Sequence, residues 1–358
     1  RSTESGSPAR HRPVTTADAP LFVVGSGRSG TSLLRAMLNA HPNLHLTHEA
    51  SFYLDPRGNS LAGDGRAWFE RYSRSFSFAF LGVSRSDVTD ELDGIRAPTR
   101  REAVAAVMQA AAAQRGKTRF GDKTPAHAQQ LATIASEFPG ARFVQVVRDP
   151  RGVVSSLATT PWATSSHGLN AFFAAQQVKA IGRFTASGGD VCTVRLEDLV
   201  TRPEDEMRRV LSFVGEDWDP AVLDHTAHGG GSDLPPFPWF AEAARPVTAP
   251  AGPPKPWDLP PAWIRSIERT AAWTLREHGY ERDTTIGEPG AAERLAAHAA
   301  DAPEVAASVA RGARAAALGL RREPPDPNEA LAAVCSVNPA AWARYPGFTL
   351  PTVPPVAP

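Results

Sequence analysis

A three-layer α/β fold around a central parallel sheet is predicted by three features of the sequence. Leu21 to Val24 is an apolar strand that runs into a glycine turn and then into a helix starting at Thr31, the order of a strand–loop–helix unit. Arg142 to Val147 is apolar almost without interruption, as a parallel strand buried on both faces would be. Strand and helix patterns alternate along most of the chain, which implies right-handed βαβ crossovers.

The elements follow in order. Arg1 to Ala19 lacks periodicity and reads as a disordered lead-in. The first strand and the helix Thr31 to Asn39 are followed by a short strand, Leu44 to Leu46, and by the polar cluster Thr47-His48-Glu49. Residues 57–118 read as a helical cap insertion over an active site, with a clear helix from Arg101 to Ala113 and Trp68, Phe69, Phe76, Phe78 and Phe80 as packing anchors. Sheet character returns at Arg119 to Gly121, ahead of Asp122-Lys123-Thr124-Pro125, and a helix is expected from about Ala126 to Glu137. Pro150 opens a helix through Leu157, after which the pattern gives a helix from Leu169 to Ala186, a strand from Val191 to Leu196 and a helix from Pro203 to Val214. Gly229 to Pro261 is loop-like, and Pro261 to Gly279 reads as a last helix capped by Gly279. The main domain is thus placed at residues 20–283. Residues 284–358 form an Ala- and Pro-rich extension, helical from Ala291 to Leu320, that packs on the main domain or serves a homodimer interface.

Composition narrows the function. A chain of 358 residues with 42% hydrophobic and 21% charged content has the makeup of a globular protein with an ample core. The 38 basic and 38 acidic residues cancel, which argues against a general nucleic-acid binder and requires any anion site to be local. Two cysteines, Cys192 and Cys335, make neither a disulfide framework nor a zinc site. No run reaches the roughly 18 apolar residues of a membrane span, and a cytoplasmic location is expected. The Ala-, Pro- and Arg-rich composition suits a high-GC bacterium.

The chemistry begins at Gly25. Gly25 to Gly30, followed by Thr31-Ser32, matches the phosphate-binding spacing G-x-x-x-x-G-K-[ST] at every fixed position except the lysine, where Thr31 stands. Arg28 is the only cation in the loop. Its planar fork suits a tetrahedral oxyanion, and the backbone N–H groups at the helix start supply further donors, so phosphate would bind without a metal. Farther on, Arg148 ends the buried strand and Ser156 follows eight residues later, two turns into the next helix. In open α/β sheets ligands sit outside the strand C-termini, so this pair could converge on a second phosphate. His225, His228 and Gly229-Gly230-Gly231 suggest a flexible turn rather than a metal site.

With these motifs in place, the chain resembles the sulfotransferases that use 3′-phosphoadenylyl sulfate, and most closely their bacterial and tyrosylprotein branch. Arg28 to Leu34 with Asn39-Ala40-His41-Pro42 is similar to that branch's 5′-phosphosulfate loop and first helix, and Arg148 with Ser156 matches its 3′-phosphate pair. Val194 to Val200 with Pro203-Glu204, and Phe213-Val214-Gly215 with Trp218-Asp219-Pro220, resemble its downstream signature. The resemblance covers roughly Leu21 to Tyr280. It implies a donor held by Arg28, Ser29, Gly30, Thr31 and Ser32 on the 5′ side and by Arg148 and Ser156 at the 3′-phosphate, with no metal. Lys123 matches the lysine set against the leaving group, although a solvated turn residue is the alternative. Glu49 falls at the catalytic glutamate, counted from His41-Pro42, with His48 as the second candidate base because imidazole is the commonest. Arg245 stands where the tyrosylprotein branch carries a lysine in the loop over the donor, and Lys255 to Leu259 belong to the same loop. The implied reaction is in-line sulfonate transfer to a hydroxyl acceptor, expected to be a small molecule. Phe52, Tyr53, Trp162, His167 and the Pro235 to Phe240 segment are candidates for its pocket. The rival readings are a P-loop kinase, with Asp149 as the only tempting Mg²⁺ carboxylate, and a noncatalytic nucleotide-binding protein.

Overall fold

Five parallel strands in the order β2-β3-β1-β4-β5 form the centre of the computed structural model, which describes residues 19–247, 257, 259–319 and 325–357. The strands are β1 (Leu21–Gly25), β2 (Leu44–His48), β3 (Arg119–Lys123), β4 (Arg142–Val147) and β5 (Val191–Arg195). Because side chains alternate along a strand, Phe22 and Val24 of β1 enter one apolar core while Leu21 and Val23 enter the other. Both faces are therefore covered, the condition a parallel sheet needs.

Between β1 and β2 runs α1 (Thr31–Ala40), which buries Leu34, Met37 and Leu38 against the second core. Between β2 and β3 come α2 (Pro56–Asn59), α3 (Gly65–Tyr72), α4 (Phe76–Ala79), α5 (Arg85–Asp93) and α6 (Arg100–Ala113). The stretch read as one cap divides in two here. The alanine-rich α6 lies directly on β2 and β3 as the crossover helix, because its small side chains permit close approach, and only the short helices stand away from the sheet. Pro125–Gln129 is a 3₁₀ turn rather than α-helix, and α7 (Leu131–Glu137) follows it. Next come α8 (Pro150–Leu157), α9 (His167–Ala186), α10 (Leu196–Thr201) and α11 (Pro203–Val214).

The helix expected over Pro261 to Gly279 is two, α12 (Pro261–Thr270) and α13 (Ala272–Glu277), separated at Ala271. Gly279 does close α13: at φ 68° it lets the Tyr280 N–H reach the Leu275 carbonyl at 2.8 Å. In the C-terminal stretch, α14 (Ala291–Gly319) docks on α9 and α12, with Ser166 Oγ donating to Asp301 Oδ2. Then α15 (Pro327–Cys335) packs on α4, the Asn338 N–H bonds the Pro161 carbonyl at 2.8 Å, and the Arg85 N–H bonds the Ala357 carbonyl at 3.1 Å. Residues 1–18 of the expected lead-in, and Lys255, Pro256, Asp258 and Leu320, lie outside the described residues.

Candidate active site

Every strand ends on the same side of the sheet, and the residues that follow line one cavity of about 880 Å³. Its floor is the glycine loop. Gly25 (φ 155°) has no room for a side chain, since a Cβ there would lie 2.4 Å from the Val146 carbonyl oxygen, and one on Gly30 (φ 99°) would lie 2.5 Å from Leu196 Cδ1. Gly30 is the N-cap of α1 and supplies no side-chain cap, so the first-turn N–H groups form an anion-binding end. Ser29 is fully buried and donates its hydroxyl to the Ser26 carbonyl at 2.7 Å; only its backbone is left for a ligand. Arg28 adopts φ 66°, the left-handed region that a residue with a Cβ enters at a cost.

That conformation aims Arg28 across the cavity. Its Nε donates to Ser156 Oγ at 2.9 Å and its Nη1 to the Trp239 carbonyl at 2.7 Å, while Arg148 Nη1 donates to the Arg28 carbonyl at 3.1 Å. Arg28 and the Arg148–Ser156 pair, assigned from the sequence to separate phosphates, are joined by these hydrogen bonds, and of the three Arg28 and Arg148 line the cavity. Burial pushes the proton affinity of both guanidiniums down, yet arginine stays charged. An anion would relieve the cost of desolvating them.

The cluster of Lys123, His48 and Glu49 is assembled by strand register. Parallel pairing of β2 with β3 places His48 opposite Lys123, and pairing of β1 with β3 places Lys123 opposite Val23, just before the glycine loop. Fully buried Lys123 donates from Nζ to Glu49 Oε1 at 2.7 Å and to Ser32 Oγ at 3.1 Å, and it lies 3.0 Å from His48 Nε2. It is therefore no solvated turn residue. Burial pushes the Lys123 ammonium's proton affinity down, opposed by the Glu49 carboxylate. Burial and then the Lys123 charge drive His48 well below the usual histidine range. His48 is thus neutral; it lines the cavity, but its side chain is buried and its Nε2 faces the ammonium. The Glu49 side chain, by contrast, is 41% exposed and faces the cavity.

Glu49 sits at φ 48° and Ser51 at φ 59°. Such conformations persist only when their surroundings enforce them. The Glu49 N–H bonds the Lys123 carbonyl at 2.7 Å, the Ala50 N–H bonds Asp122 Oδ1 at 3.2 Å, and the Ser51 N–H bonds Thr124 Oγ1 at 3.2 Å. Asp122 and Thr124 are therefore supports of the site that the sequence reading missed. Their only signal was adjacency to Lys123.

Other expectations are revised. Phe52 and Tyr53 are buried in the core and His167 stacks on Trp263 at 5.4 Å, so none of the three lines the cavity, whereas Trp162, Pro235, Phe237, Trp239 and Phe240 do. Phe240 packs edge-on against His48 at 4.4 Å and beneath the Lys123 ammonium at 5.5 Å. Arg245 lines the cavity as an exposed side chain paired with Glu242 at 2.9 Å. Gly229 to Gly231 are not a loose turn: a Cβ on Gly230 would lie 2.0 Å from the Ala36 carbonyl oxygen, which locks this segment against α1. His225 is buried, with Nε2 3.2 Å from the Ala243 carbonyl. Asp149 is engaged by Arg151 at 2.6 Å and caps α8, so it does not serve a kinase's Mg²⁺. No group of three or more His, Cys, Asp or Glu among the described residues is arranged to hold a metal. No helix among them is long and apolar enough to cross a membrane.

Comparison with known proteins accords with this geometry. Residues 20–220 match the model of the sulfotransferase family, and the chain belongs to that family. It is 27% identical over 214 residues to the protein-tyrosine sulfotransferase of Drosophila melanogaster, covering 57% of this chain and 40% of that protein. It is 31% identical over 219 residues to human protein-tyrosine sulfotransferase 1, covering 58% and 54%. The chain thus spans about half the length of these relatives. Among solved structures, the sulfotransferase domain of the Synechococcus olefin synthase matches with a TM-score of 0.49 and 20% identity, over 72% of this chain and 94% of that one.

Proposed function

We propose that this chain transfers the sulfonate of 3′-phosphoadenylyl sulfate to the hydroxyl of a small-molecule acceptor, in line and without a metal. The observation that carries the reading is the cluster of Lys123, Glu49 and Ser32 beside a phosphate loop that has no lysine of its own. In this reading the cation absent from position 31 enters from β3.

The roles follow from placement. The N–H groups at the start of α1 and Arg28 hold the 5′ side, and Arg148 with Ser156 holds the 3′-phosphate. Lys123 neutralises the charge that develops on the leaving phosphate oxygen, a positioned charge of the kind that dominates such transfers. The acceptor oxygen forms a bond to sulfur as the bond from sulfur to the phosphate oxygen breaks, the bonding pair leaves with the phosphate, and Glu49 takes the acceptor proton. Both line the cavity and both meet Lys123, but Glu49 is preferred to His48 because its carboxylate is 41% exposed, whereas the imidazole is buried with its Nε2 against Lys123.

Isothermal titration with adenosine 3′,5′-bisphosphate and with ATP, each in EDTA and in Mg²⁺, tests the donor assignment. Bisphosphate binding that ignores EDTA is expected. Metal-dependent ATP binding with no bisphosphate binding would sink it in favour of a kinase.

A further inference from the structure

We infer that the acceptor is a lipophilic alcohol or phenol whose hydroxyl reaches Glu49 while its apolar body runs out between α9 and α15. This rests on the transfer reaction proposed above. Two independent observations carry it.

The first is segregation of charge within one cavity. The charged side chains that line the cavity are Arg28, Glu49 and Arg148, at or just beyond the strand ends, and the Glu242–Arg245 pair beyond Trp239, with Lys123 buried behind Glu49, whereas the walls supplied by α4, α9 and α15 contribute no charged side chain. Phe76 of α4 and Leu331 of α15 line those walls, with Phe80 just beyond α4. An acidic peptide would meet no basic partner there. A hydrocarbon body would lose water on both surfaces, the condition for hydrophobic gain.

The second observation concerns exposure. Six large hydrophobic side chains stand exposed among the described residues, and three of them line this cavity: Leu54 at 39%, Phe173 at 52% and Val334 at 43%. They come from three separate segments, the loop after β2, α9 and α15, so no local sequence bias brings them together. Apolar groups gathered at a cavity mouth mark a binding surface for apolar matter. Two of the walls pack directly on each other, α15 on α4, and the segment after α15 is tied to the end of α8 by Asn338 Nδ2 donating to the Ala158 carbonyl at 3.2 Å. The α15 wall lies outside residues 20–220, the region of the family match, so it is a feature this chain's C-terminal stretch adds to its site.

The test is sulfonate transfer to 4-ethylphenol, 4-butylphenol and 4-octylphenol and to an acidic tyrosine peptide, together with calorimetric binding of each without donor. Each methylene that enters the cavity should improve kcat/KM roughly fourfold until the chain emerges into solvent. The octyl compound should exceed the ethyl compound by at least about tenfold in both measurements. Val334→Asp and Phe173→Asp, at exposed positions that tolerate a polar side chain, should each cut that long-to-short ratio by about tenfold. A ratio near one, a peptide preferred to octylphenol, or a ratio untouched by both variants would overturn the inference. Loss of bisphosphate binding would instead overturn the donor assignment, while donor-free phenol binding would still decide the acceptor class.

Discussion

At the strand ends, Arg28, Lys123 and Arg148 are placed by backbone: a glycine loop, a strand register and a strand terminus. Across the same cavity, Phe76, Phe173 and Val334 are placed by the packing of helices that are far apart in the chain. The first region is polar, strained at Arg28, Glu49 and Ser51, and crossed by hydrogen bonds. The second is apolar and open at its mouth. In the proposed reaction the contrast separates chemistry from selection. Rigid strand ends fix reacting groups to the fraction of an ångström that catalysis requires, whereas helix faces can change side chains without disturbing them. Substitutions on the two sides should therefore affect different kinetic constants.

The largest effect should fall on Lys123. In the proposed reaction Lys123→Ala removes the cation set against the leaving oxygen, and kcat should drop roughly 10³-fold, or about 4 kcal/mol of barrier. Steady-state kinetics with any accepted phenol reads this, and a loss confined to KM would place Lys123 in binding alone. Next is Glu49→Gln, for which kcat should fall roughly 10²- to 10³-fold, with bisphosphate affinity by calorimetry little changed. His48→Ala should cost about tenfold or less, since His48 acts by packing and by facing Lys123. Were His48→Ala the more damaging of the two, the base assignment would pass to the imidazole.

Arg148→Ala moves the comparison from catalysis to donor affinity. Bisphosphate binding should weaken roughly 30- to 100-fold, the loss of one charge-assisted partner in a partly buried site, while adenosine 5′-phosphate, which lacks the 3′ group, should be much less affected. Equal losses for both would assign Arg148 to the 5′ side.

The smallest effect is a pH shift. Burial lowers Lys123 from an ordinary lysine value near 10.5, so its charge is lost earlier as pH rises. The alkaline limb of kcat/KM, which reports the free enzyme, should then lie below that value. In kcat, an anionic donor beside Lys123 favours the charged form, and the limb should move to higher pH. A limb at the same pH in both profiles would separate Lys123 from the leaving group.

The same contrast explains what could be read in the sequence. The strand ends were legible because local spacing encodes them: the glycines of the loop, the apolar run before Arg148, and Lys123 after a short strand. The sheet followed from alternation, because a parallel strand buried on both faces leaves a continuous apolar run. The contacts between these motifs were not legible. That Arg28 reaches Ser156, 128 residues away, depends on how β1 and β4 pair. That the His48 Nε2 meets Lys123 depends on register, which no single segment carries. The α15 wall was hidden for another reason. Its sequence is alanine-rich and reads only as helix, so Leu331 and Val334 acquire a role only when α15 folds back on α4. Phe52 and Tyr53 misled in the opposite sense, since aromatic residues next to a catalytic segment are as readily core as pocket.

The most direct test of the central claim follows transfer itself: mass spectrometry of 4-octylphenol incubated with 3′-phosphoadenylyl sulfate and EDTA, using wild-type protein, Lys123→Ala and Glu49→Gln. The account predicts a mass gain of one sulfonate group with the wild type, release of adenosine 3′,5′-bisphosphate in equal amount, and near-absence of product with either variant while bisphosphate binding persists. Undiminished product from Lys123→Ala would contradict the idea that the cation missing from the glycine loop is supplied by β3.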